Sequence, residues 1–229
     1  MKRIRSAPAF LVGSVMVLLG FSSVVGTPFL LAEDSQPALP TLSKERIAVV
    51  PFLKGRYGSD IQETLHCPLC QLSFQPDDLT FDCDQVLTRY VQEALERRRE
   101  DTAIPFGQVR EAYDQIAMDA TEDTPITLAQ RLGKEVDAQY VLVGTVWRYR
   151  EREGGSRAVQ KPASVSFSVH LIRTADGKLV WEKTFAETQR SLSENVLEAR
   201  AFFERGAKWL TADELARYGV DEIMKDFPY

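Results

Sequence analysis

Three consecutive segments decide the fold of this chain: Asp137-Ala-Gln-Tyr-Val-Leu-Val-Gly-Thr-Val-Trp147, Ala163-Ser-Val-Ser-Phe-Ser-Val-His-Leu-Ile-Arg173 and Thr174-Ala-Asp-Gly-Lys-Leu-Val-Trp-Glu-Lys-Thr-Phe185. Tyr140 to Val143 is apolar at every position, as a strand buried on both faces must be. In the second segment Val165, Phe167, Val169 and Leu171 alternate with Ser164, Ser166, Ser168 and His170. That period of two predicts one buried and one polar face. Asp176-Gly177 predicts a tight turn into a third strand, whose apolar weight is Leu179, Trp181 and Phe185.

Working outward, Arg46-Ile-Ala-Val-Val-Pro-Phe-Leu53 reads as a short buried strand, with Pro51 placing its end at an edge or bulge. A helix is predicted from Asp84 to Arg98 on the stripe Leu87, Tyr90, Val91, Ala94 and Leu95. The Arg97-Arg98-Arg99 run closes it, where the helix dipole favours cations. After a short strand at Ala103–Phe106, a second helix uses Val109, Ala112, Tyr113 and Ile116. A third starts at the cap Thr124 with Pro125 in its first turn, and Gly133 is the expected terminator. Glu151–Lys161, with Gly154-Gly155, reads as a charged hairpin tip. Two helices end the chain, Ser191–Arg205 and one opened by the capping box Thr211-Ala-Asp-Glu214. The expected fold class is α/β (α+β): a single mixed, largely antiparallel sheet with helices packed on it, plus a Cys-bearing insertion after the first strand. That insertion, 56–82, shows no sustained period.

Residues 1–32 read as a signal peptide or membrane anchor. Lys2, Arg3 and Arg5 form a basic start, and Ala9 to Phe21 is nearly all apolar. Cleavage after Gly26 or Ala32 fits, and so does retention, because Ala9 to Ala32 is long enough to span a bilayer. Membrane contact is then expected only through residues 9–32. Residues 33–44 form a polar linker with Pro37 and Pro40, and 45–229 a single α/β domain. Both readings of the tail place the domain outside the cytoplasm, in the periplasm, soluble or tethered to the inner membrane. No lipobox cysteine ends the segment. The net charge is -5, and without the three basic residues of the tail 25 basic residues face 33 acidic ones. Such a domain is unsuited to nonspecific nucleic-acid binding.

The residues that could carry chemistry are His66-Cys67-Pro68-Leu69-Cys70 and Cys83. Two thiolates three positions apart can grip one ion, so Cys67, Cys70, Cys83 and His66 make a candidate zinc knuckle. Glycine usually follows such a knuckle, and Gln71 stands there instead. The main alternative is a disulfide from Cys83 to Cys67 or Cys70, natural in an oxidising compartment. Thioredoxin-like chemistry would need the pair at a helix start, and Gln71-Leu-Ser-Phe-Gln-Pro76 is not one. His170 is expected on the open face of the sheet without a pocket. The sequence contains no Gly-x-Ser-x-Gly, Gly-x-Gly-x-x-Gly or Walker pattern, so no catalytic or cofactor-binding residue is expected. Trp147, Trp181, Phe202, Phe203 and Trp209 are core or interface aromatics.

Three motifs carry a family resemblance: Ile47-Ala-Val-Val-Pro-Phe52, Leu128-Ala-Gln-Arg-Leu-Gly-Lys-Glu-Val-Asp-Ala-Gln-Tyr-Val-Leu-Val-Gly-Thr-Val146, and the Asp176-Gly-Lys-Leu-Val-Trp181 hairpin. In this order they resemble envelope α/β domains related to the curli-secretion lipoprotein, the amino-terminal domain of the Tol propeller protein and the penicillin-binding-protein activator lipoproteins. The resemblance implies a noncatalytic extracytoplasmic domain that binds other envelope proteins, copies of itself included, in assembly, secretion or trafficking. The missing lipidated cysteine departs from it. So does the lack of paired strand segments able to build a membrane barrel.

Overall fold

The computed structural model describes residues 42, 44–55, 65–74, 78–119, 124–155, 159–189 and 209–229. The amino-terminal segment, nearly all of the linker and the helix expected over Ser191–Arg205, with Phe202 and Phe203, lie outside the described residues. In chain order the elements are β1 (Ile47–Val49), β2 (Leu53–Lys54), β3 (Leu65–His66), β4 (Ser73–Phe74), α1 (Cys83–Arg99), α2 (Phe106–Asp119), α3 (Pro125–Glu135), β5 (Tyr140–Arg150), β6 (Glu153–Gly154), β7 (Val159–Lys161), β8 (Ser164–Arg173), β9 (Leu179–Thr188) and α4 (Ala212–Ile223). A 3-10 turn, Met224–Asp226, follows.

The main sheet has the order β1-β5-β8-β9, with β2 also on β5. Long β5 pairs antiparallel with β8 along its whole length. Its other side takes β1 and β2 in parallel. Pro51 lies between those two short pieces, as a residue without an N–H should. β8 and β9 form the predicted hairpin, with His170 opposite Glu182. Gly177 takes a positive φ of 71° in its turn, and Asp176 accepts bidentately from Arg173 at 2.9 and 2.6 Å.

Helices cover both faces. On one, Val49, Leu142, Val165, Phe167, Val169 and Leu171 pack beneath α1 and α4. On the other, Ala48, Val50, Val141, Val143 and Ile172 pack beneath α2 and α3. Burying a side chain such as Phe167 contributes about 1.5–3 kcal/mol. Thr211 and Glu214 form the predicted capping box of α4, and Thr124 caps α3 with Pro125 in its first turn. The arginine run is spent on internal contacts. Arg97 reaches Asp221 at 2.9 Å, Arg98 donates to the Met224 carbonyl at 2.6 Å, and Arg99 donates to Thr102 Oγ1 at 2.9 Å.

Three expectations fail here. The short strand expected at Ala103–Phe106 is only an isolated bridge from Ala103 to Ile47, and α2 already begins at Phe106. Gly133 does not end α3, which runs to Glu135. The left-handed residue is Asp137, at φ 54°, and its carboxylate holds Arg46 at 2.8 Å. Gly133 is needed for contact instead: a Cβ there would lie 2.3 Å from Thr174 Oγ1. The largest failure is the polar face of β8. Ser164, Ser166, Ser168 and His170 are all buried, so this face is not open. Ile172, at its far end, lies under α2 and α3, while the cysteine hairpin packs over Ser168 and His170.

Candidate functional site

The cysteine insertion contributes a small hairpin. β3 and β4 pair antiparallel, Leu65 with Phe74 and His66 with Ser73, and Cys67-Pro-Leu-Cys70-Gln71 makes the turn. The Gln71 N–H donates to the Cys67 carbonyl at 3.0 Å, and the Cys67 N–H to that of Leu72 at 2.9 Å. Gln71 adopts φ 61°. The position where a knuckle normally has glycine is therefore left-handed, at the steric cost a side chain carries there.

The hairpin docks through its apolar side. Phe74 stacks on Trp147, ring centroids 4.3 Å apart and planes 3° from parallel. Trp147 is the extra residue at a register shift between Val146 and Arg148, and such a bulge re-aims side chains. Its indole N–H donates to Ser168 Oγ at 2.9 Å. Cys67, Phe74 and Trp147 form a buried cluster of their own.

This docking brings Cys67 onto His170, with Sγ 3.7 Å from Nε2. Sγ of Cys67, Sγ of Cys70 and a ring nitrogen of His170 all lie within 4.8 Å of one another. His170 is 1% exposed; Nε2 is also 4.0 Å from Glu182 Oε2, and Nδ1 has no hydrogen-bond partner among the described residues. Burial pushes the Cys67 thiol up, but the hydrogen bond from His170 and the N–H groups of Cys70 and Leu69 outweigh it and bring it down to about 7. Burial, with the neighbouring Cys67 sulfur adding to it, pushes Cys70 up to about 11. Two thiols with opposite shifts beside an imidazole can coordinate a soft cation, or share one proton between sulfurs.

Of the four residues proposed from sequence, the fold brings Cys67 and Cys70 together and leaves the other two elsewhere. His66 points outward, with Nδ1 3.1 Å from Ser73 Oγ. Cys83 opens α1 and is buried in the core on the other face of the sheet, where burial raises its thiol pKa. All three cysteines are free; the pairing of Cys83 with Cys67 or Cys70 is not one this fold sets up. The side chain that meets Cys67 and Cys70 is His170 instead, with Glu182 beside its Nε2. The signal for them was partial: alternation puts His170 on the serine face, and the Asp176-Gly177 turn puts Glu182 across from it. The contact with Cys67, 103 positions away, has no local signature. Trp147 and Trp181 are core residues, while Trp209 is half-buried.

No protein-family model matches the chain, and no curated protein sequence does. Among solved structures it is similar to the PelC dodecamer of Paraburkholderia phytofirmans, at 16% identity and TM-score 0.43, over 81% of this chain and 89% of that one. It is similar to the LpoB C-terminal domain of Escherichia coli at 15% identity and TM-score 0.38, over 63% and 83%. Lipoprotein GNA1162 of Neisseria meningitidis aligns at 17% identity and TM-score 0.39, over 71% and 98%. The likeness is structural and at low identity.

Proposed function

We propose that the chain is a noncatalytic extracytoplasmic domain that binds other proteins of the cell envelope, in assembly, secretion or trafficking. The observation that carries this reading is strand β9. It is ten residues long, it bonds β8 along one side, and no strand lies on its other side among the described residues. Such an edge presents N–H and C=O groups at the spacing a partner strand requires, over roughly 30 Å. Glu182, Lys183 and Glu187 place charge along it, which discourages indiscriminate pairing and selects a complementary strand. The amino-terminal segment and the motif resemblance support the compartment, and the net negative charge argues against nucleic acid. The partner is another envelope protein or a second copy of this chain.

The test is in-cell crosslinking of the full chain from a photoreactive residue at Ala186 on β9, with Gln108 on α2 as the control position. A discrete adduct from Ala186 that is absent from Gln108 is the expected result. Identical patterns from both positions, or no adduct from Ala186, refute the reading.

A further inference from the structure

The hairpin β3–β4 is too small to hold itself in place. Each strand has two residues, and an isolated hairpin is marginally stable at best in water. Yet its turn delivers two sulfurs to one point on β8 and β9. Tetrahedral zinc, with Zn–S near 2.3 Å and Zn–N near 2.0–2.1 Å, sets an S···N edge of about 3.6 Å. The distance from Cys67 Sγ to His170 Nε2 is 3.7 Å, and Cys70 Sγ completes a group within 4.8 Å. The fourth corner has a candidate on the adjacent strand. Glu182 is the ladder partner of His170, so both side chains leave the sheet on the hairpin's face, and its Oε2 is 4.0 Å from Nε2. An O···N edge on zinc is about 3.4 Å. Glu182 lies outside the group in which Cys67, Cys70 and His170 meet within 4.8 Å, so it must swing toward the sulfurs, which a half-exposed side chain can do.

We infer that Cys67, Cys70, His170 and Glu182 bind one zinc ion, which fastens the cysteine hairpin to the sheet. Two thiolates, an imidazole and a carboxylate form a borderline-soft set that suits zinc and not calcium or magnesium. Binding displaces the thiol protons to solvent and changes no oxidation state. The site does not depend on the protein-binding reading, although Glu182 belongs both to it and to the charged edge of β9. A disulfide between Cys67 and Cys70 would use the same sulfurs and exclude the metal.

The full chain, purified without chelator or reductant and supplied with zinc alone, decides between them by metal analysis and intact mass. One zinc per chain is expected, lost in Cys67→Ser and Cys70→Ser and kept in Cys83→Ala and His66→Asn. Glu182→Gln should weaken zinc in chelator competition about tenfold or more. Cobalt substituted for zinc should show thiolate charge-transfer bands. A metal-free chain lighter by two hydrogens, with Cys67 joined to Cys70, overturns the inference. So does an unchanged affinity in Glu182→Gln, or zinc lost with Cys83→Ala or His66→Asn. Should Cys67→Ser fail to fold, the Glu182, Cys83 and His66 variants still decide.

Discussion

Replacing Gly144 with alanine probes the contact that couples the first strand motif to the central one. Gly144 sits in β5 directly under the ring of Phe52. A Cβ at 144 would lie 2.2, 2.3 and 2.4 Å from Phe52 Cζ, Cε2 and Cε1, where carbon contacts normally sit at about 3.5–4.0 Å. The ring must therefore retreat by more than about 1 Å. It has little room: Phe52 is 4% exposed, lies edge-on to Phe167 with centroids 6.4 Å apart, and is held at its backbone by an N–H bond to Thr88 Oγ1 of 2.9 Å. Overpacking of this kind costs about 3 kcal/mol at the upper end of its usual range. Relief from glycine's backbone entropy returns about 0.5–1 kcal/mol. A net loss of about 2 kcal/mol follows, measured by urea unfolding followed through tryptophan fluorescence. Phe52→Ala alone should cost about 3–5 kcal/mol. In that background the new methyl group enters space the ring has left, so Gly144→Ala should keep only its entropic gain of about 0.5–1 kcal/mol. The double variant should thus be more stable than the sum of the singles by about 3 kcal/mol. Additivity within about 0.5 kcal/mol, or a single variant as stable as the parent, refutes the reasoning.

Other consequences can be measured in the same way. Asp213, in the first turn of α4, accepts from Tyr90 at 2.7 Å and from Tyr149 at 2.9 Å; Asp213→Ala should cost about 2–4 kcal/mol by stranding two phenols, and a loss under about 1 kcal/mol would refute that role. Trp147→Phe keeps the stack on Phe74 but loses the bond to Ser168, so unfolding should show a loss of about 1–2 kcal/mol and amide exchange should quicken first in β3 and β4. The hydrogen bond from Arg173, with the Lys178 N–H, holds the Asp176 carboxyl down at about 2; its stabilisation is complete above the ordinary carboxylate range and is lost as pH falls through about 2, and an NMR titration should show Arg173→Met moving the midpoint back towards ~3.9.

The sheet was legible because its signals are local. Alternation in β8, the Asp176-Gly177 turn and the Thr124 and Thr211 caps each act within a few residues. The chemistry was less legible. Alternation correctly put His170 and the serines on one face, but it could not say that a hairpin from a separate part of the chain would bury that face. Gly133 differs from its sequence expectation for a related reason. A glycine near a helix end resembles a cap, and only the approach of Thr174 shows that it is there to admit a neighbour. Cys83 sits thirteen positions beyond Cys70, but the chain enters α1 there and carries it to the opposite face of the sheet.

By itself the sequence determined the long strands of the main sheet, helices α1, α2, α3 and α4, the two faces of β8, the acidic character and the presence of a knuckle-shaped Cys-Pro-Leu-Cys turn. These follow from periodicity, capping and turn preference, which act over one or two turns of chain. Tertiary structure alone decided which residues meet the cysteines. Cys67 reaches His170 because β3 and β4 fold back over β8 and are pinned by Phe74 on Trp147, and Glu182 stands beside His170 through the register of β8 and β9. Such contacts depend on packing between segments far apart in sequence, and residue spacing does not encode them.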